Sequence, residues 1–126
     1  NGKPMQVAQA FGLSDGSVGA GVSGRTDRAV AVAMVDHILG EGGMFFRNAS
    51  GALSLAYVAA GRLLGFIEDH MNSWDCLAGL LMIEEAGGTI NDLDAETALD
   101  HGTKVIAGGP NVYPQLAGMA DELFGA

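Results

Sequence analysis

Trp74-Asp75-Cys76-Leu77-Ala78-Gly79-Leu80-Leu81-Met82-Ile83-Glu84-Glu85-Ala86-Gly87-Gly88 sets one carboxylate at the opening of an apolar run and closes that run on a glycine pair. The spacing predicts a helix from Ser73 to about Ala86, with Gly87 as the left-handed residue past its end. For two turns the run is apolar on nearly every side, so the helix must be buried, which fixes its first turn at the edge of a core. Asp75 falls in that first turn. Unsatisfied N–H groups and the helix dipole favour an anion there, so its carboxylate stays ionised and open to a hard cation. Spacing alone leaves a second reading, in which Asp75 only complements the dipole behind a Ser73 cap.

Working outward, Met5, Val7 and Ala8 after the Asn1 to Pro4 turn read as a short strand, and Ser17 to Ser23 as a glycine-rich second one. Ala29, Val30, Ala33, Met34 and Ile38 recur at helical spacing, with Thr26 as cap and Gly40, Gly42 and Gly43 as the stop. Met44 to Phe46 is a strand, Ser50 to Gly61 a helix, and Gly65 to Glu68 a strand. Beyond the Trp74 helix, Thr89-Ile90 and Lys104 to Ala107 read as strands, and Asn111 to Leu123 as a last helix capped by Asn111. Asp92 to Gly102 reads as a surface loop; its acids Asp92, Asp94, Glu96 and Asp100 lack the glycine and closing glutamate of a calcium loop. Alternating strands and helices predict an α/β fold, layered, with a mixed sheet packed between helices.

A chain of 126 residues with 48% hydrophobic content supports one core. No apolar run approaches the roughly 20 residues that cross a bilayer, so no membrane partner is expected. Fifteen acids against six bases give a formal charge of −9, which argues against nucleic acid. An acidic chain can still take a phosphorylated small molecule where bound cations reverse the local field. The lone Cys76, inside an apolar helix, reads as a small core residue, and a reducing, cytoplasmic setting fits.

Three segments carry a resemblance. The Trp74 to Gly88 stretch resembles the second signature of the inositol monophosphatase family of Mg²⁺-dependent, Li⁺-sensitive phosphatases, which runs Trp-Asp, small residues, an apolar run and Glu-Ala-Gly-Gly. Arg47-Asn48-Ala49-Ser50-Gly51-Ala52-Leu53-Ser54-Leu55-Ala56-Tyr57-Val58-Ala59-Ala60-Gly61-Arg62 is similar to its Gly-Ser-Ala-Ala-Leu and Tyr-Val-Ala-x-Gly-Arg segment, and Asn1 to Val7 to its Asn-Gly turn and following strand. The resemblance implies that Asp75 is a Mg²⁺ ligand, and that Glu68, six residues before Trp74, contacts substrate hydroxyls. It also implies that Gly51 and Ser50 lie against substrate. Trp74 and Arg47 are expected as supporting residues, Arg47 beside Glu68 or across a subunit contact of a homodimer. Two departures stand out: Leu77 replaces a small residue, and Ala49 and Gly51 exchange the family's glycine and alanine, which predicts a more flexible backbone near Gly51.

The family's first-half ligands, a glutamate and an Asp-Pro-x-Asp-Gly-Thr motif, have no counterpart here; Asp15-Gly16-Ser17 reads as a turn. Residues 1–126 are therefore expected to be the C-terminal domain of such a phosphatase, without the N-terminal metal-binding domain and inactive alone. The missing N-terminal half and a small phosphate monoester, such as inositol monophosphate or a related polyol or sugar phosphate, are its expected partners. Two other readings stand beside it. One is a non-catalytic assembly or regulatory domain. The other is a dinucleotide-binding domain, since Gly19-Ala20-Gly21-Val22-Ser23-Gly24 satisfies G-x-G-x-x-G ahead of a helix, although the strand ought to precede those glycines. His37, His70 and His101 lack metal spacing and read as surface or strand-end residues.

Overall fold

The computed structural model describes residues 4–124. The chain runs β1 (Ser17–Gly21), α1 (Arg28–Gly40), β2 (Met44–Phe46), α2 (Gly51–Ala59), β3 (Gly65–Met71), α3 (Ser73–Glu85), β4 (Thr89–Ile90), α4 (Ala95–His101), β5 (Thr103–Gly108) and α5 (Tyr113–Leu123). The strands form one sheet in the order β2-β1-β3-β5-β4. β1 pairs in parallel with β2 and β3, while β5 is antiparallel to β3 and β4. The expected mixed sheet between helices is what forms.

Strand alternation divides the interior in two. Val18, Ala20, Ile67 and Ile106 meet Met34 and Ile38 of α1 and Leu116, Met119 and Ala120 of α5. Phe66, Val105 and Ala107 face the opposite way, against Leu55, Val58 and Ala59 of α2 and Cys76, Leu80 and Ile83 of α3. Cys76 is a fully buried free thiol, as its place in the run implied. No helix among the described residues is long and apolar enough to cross a membrane.

Several local expectations are corrected. Residues 4–10 form no strand: Val7 is buried, yet its N–H reaches only the Ala86 carbonyl at the end of α3. Residues 1–3 of the expected turn lie outside the described residues. Asp92 to Gly102 is not all loop, because Asp94 accepts from the Glu96 and Thr97 N–H groups and starts α4, whose Ala98 is buried. Caps also shift by one residue. Asp27 caps α1, Asn72 precedes α3 and Val112 precedes α5, while Ser73 donates to the Leu99 carbonyl and Asn111 to Ala10. Gly87, at φ +90°, ends α3 as expected, with the Gly88 N–H returning to Ile83.

Candidate functional site

From the ends of β1 and β3 the chain departs to opposite faces of the sheet, into α1 on one and α3 on the other. Such a divergence leaves a crevice at the carboxyl ends of the two strands. A cavity of about 380 Å³ occupies that place, lined by the end of β1, the end of β3 and the first turns of α2 and α3. Glu68, His70, Arg25, Arg47, Ser50 and Asp75 all contribute to its wall.

β1 makes room for Glu68. Gly19 pairs with Phe66 and Gly21 with Glu68, and a Cβ on Gly21 would collide with the Glu68 carboxylate. These glycines lie inside a strand and accommodate the side chains of β3, so they do not form the turn between strand and helix that a dinucleotide fingerprint requires. Gly24, the third of the set, is exposed with open space beside it.

Glu68 is 8% exposed. Its pKa is raised to about 7, first by burial and then by the neighbouring Asp69 and Asp75 carboxylates, against the opposing pull of Arg25 and Arg47. Near neutrality this carboxyl can therefore both accept and donate hydrogen bonds. Asp75 is exposed in the first turn of α3, with its N–H bonded to the Asn72 carbonyl at 3.0 Å.

The rim at α2 is built by a local network. Asn48 Oδ1 accepts from the Ser50 N–H and the Ser54 hydroxyl, both at 3.0 Å, and Ser50 Oγ caps α2 by accepting from Leu53. The Ser50 hydroxyl is thus engaged, and the leading N–H groups of α2, at Gly51 and Ala52, are the ones turned out from the helix start. Ala49 stands at φ +65°, where glycine is relaxed and alanine is strained. At Gly51, the first helical residue, a Cβ would collide with the Met71 methyl. The exchange of alanine and glycine thus moves strain to Ala49 and leaves Gly51 tightly seated in a capped helix.

The chain matches the model of the inositol monophosphatase family over residues 1–123. It belongs to that family. An inositol-1-monophosphatase of Mesorhizobium japonicum is 40% identical over 119 residues, covering 92% of this chain and 44% of the relative. The Nus factor SuhB of Escherichia coli K12 is 42% identical over 94 residues, covering 74% and 35%. Among solved structures, the extragenic suppressor protein suhB of Bartonella henselae superposes with a TM-score of 0.81 at 31% identity, over 94% of this chain and 47% of that one. The chain spans about half the length of the relatives it matches.

Of the residues singled out from sequence, Asp75, Glu68, Gly51, Ser50 and Arg47 share the cavity, whereas Trp74 is 79% exposed and does not line it. Ser23, Arg25, Asn48 and His70 join them unannounced. His70 follows Glu68 on β3, where an irregularity in the pairing with β5 falls between Glu68 and Met71. Its Nε2 bonds the His101 carbonyl at 2.6 Å, leaving Nδ1 buried without a partner. As for a metal, no group of three His, Cys, Asp or Glu side chains converges among the described residues. Asp75 has the right chemistry for a single ligand, a hard oxygen at a fixed helix start, and this half of the family fold does not complete a donor set.

Proposed function

We propose that this chain is the C-terminal half of a Mg²⁺-dependent phosphatase that hydrolyses a small phosphate monoester, in the class of inositol monophosphate and related polyol or sugar phosphates. The observation that carries this reading is the meeting, in one cavity, of the Asp75 carboxylate, the buried Glu68 and the start of α2. Helix starts attract phosphate through their unpaired N–H groups and dipole, so Gly51 and Ala52 are suited to hold the phosphoryl oxygens. Glu68, with its pKa about 7, suits polyol hydroxyls, accepting from one and donating to another. Asp75 would hold Mg²⁺ together with ligands from the missing half; the ion, when bound, would stabilise charge on the leaving oxygen. The inositol-1-monophosphatase name of the Mesorhizobium relative supports the same substrate class. Cytoplasmic location and a homodimer belong to this reading.

Alone the chain should release no phosphate, because one carboxylate holds Mg²⁺ too weakly. The test joins it, by fusion or co-expression, to the N-terminal half of the Mesorhizobium relative and follows Mg²⁺-dependent phosphate release from inositol 1-phosphate. Activity from the joined halves, lost on Asp75→Asn, is the expected result. Activity from the 126-residue chain alone would refute the half-enzyme reading, and a folded but silent assembly would favour a second one. That second reading, a non-catalytic assembly or regulatory role, draws on the Nus factor name of the SuhB relatives and on the incomplete donor set.

A further inference from the structure

α3, the helix that carries Asp75, begins without the usual fastening. Asn72 precedes it but makes no side-chain bond to its leading N–H groups, and the Asp75 N–H returns to the Asn72 carbonyl. The strand behind it is no firmer at this end. Pairing of β3 with β5 is irregular between Glu68 and Met71 and resumes where Met71 lies opposite Thr103. A helix start with neither a cap nor a regular ladder behind it is prone to fray.

Side chains on both sides of Asn72 reach instead to α4. His70 Nε2 lies 2.6 Å from the His101 carbonyl, and Ser73 Oγ donates to the Leu99 carbonyl at 3.3 Å. Both acceptors belong to the last turn of α4, where a helix leaves its carbonyls without partners of its own. A carbonyl only accepts, so the His70 ring donates from Nε2, while its Nδ1 has no partner among the described residues. Gly102, at φ +78°, closes the join, since a Cβ there would collide with the Met71 carbonyl and the His70 ring.

We propose that His70 is a positioning residue: by bonding the end of α4 it makes that helix a clasp on the β3–α3 turn, which holds the Asp75 carboxylate in place at the cavity. That Asp75 binds a cation rests on the phosphatase reading; the clasp does not.

The test measures ¹H–¹⁵N heteronuclear NOE values over residues 72–76 of the ¹⁵N-labelled chain and then titrates it with Mn²⁺. This ion takes the same oxygen ligands as Mg²⁺, and its unpaired electrons broaden signals beside it. His70→Gln keeps an amide N–H at about the reach of Nε2, whereas His70→Asn stops a bond short, at the reach of Nδ1. In His70→Asn the Asp75 NOE should fall, and the Mn²⁺ concentration that halves the Asp75 signal should rise at least about three-fold, as the loss of one hydrogen bond allows. In His70→Gln that concentration should stay within about 1.5-fold of the unmodified chain. Ser73→Ala, which cuts the other tie, should move both readouts in the same direction as His70→Asn. Unchanged NOE values in His70→Asn and Ser73→Ala would overturn the clasp. A lower urea midpoint with an unmoved Mn²⁺ concentration, or equal losses in the Gln and Asn variants, would overturn the positioning role. Absence of selective broadening at Asp75 in the unmodified chain would overturn Asp75 as a cation ligand, and the phosphatase reading with it, and the NOE values would then decide the clasp by themselves.

Discussion

On β1, Val18 and Ala20 are buried against α1 and α5, while Gly19 and Gly21 turn to the side of α2 and α3. The same alternation recurs on β3, where Ile67 enters the first interior and Phe66 and Glu68 face the second. One face is filled to its edge with aliphatic side chains. The other is filled only as far as Phe66 and then opens, where glycines on one strand yield space to a carboxylate on the next. This fold builds its site by leaving side chains out of a strand, on one face and at one end.

Hollowing the filled face should have the largest effect. Leu116→Ala, at a fully buried position of α5, should cost about 3 kcal/mol of stability. Ser23→Ala on the cavity wall should stay within about 0.5 kcal/mol. Urea midpoints of the two variants check the difference.

A second experiment reads the open face through pH. Because Glu68 has its pKa raised from 4.5 to about 7, the folded chain holds its proton more tightly than the unfolded chain does. Stability is then fully present below about pH 4.5, declines as pH rises towards 7 and is level above it, by up to about 3 kcal/mol. Urea unfolding across that window should show this slope, and Glu68→Gln should remove it. A slope that persists in the variant would place the titration elsewhere.

The smallest effect sits on the rim. Ala49→Gly relieves a left-handed alanine while adding freedom to the unfolded chain, so a net gain of roughly 0.5 kcal/mol is expected in thermal melts. A loss of stability would mean that the alanine is held without strain.

Much of the fold was legible because its signals are local. The apolar period of α1, the glycine pair after α3 and the short apolar strands each follow from a few neighbouring residues. α4 was hidden because its acids outweighed the single buried Ala98, and Asp94 reads equally well as a loop residue or a cap. The caps slipped by one position because backbone geometry chooses among adjacent candidates: Thr26 and Asp27 can each cap, and Thr26 is drawn away by Asp69. Within the candidate site, Asp75 and Glu68 could be named from the motif. Arg25 and His70 could not, since their place on the wall depends on β1 and β3 being neighbours, a pairing that joins residues more than forty positions apart in sequence.

Gly51 and Met71 meet so closely that no methyl fits between them. A methyl at 51 therefore requires the tip of the Met71 side chain to swing aside, a movement its flexible thioether can make. The start of α2 and the end of β3 are thus fitted to each other through the adjustable end of one side chain.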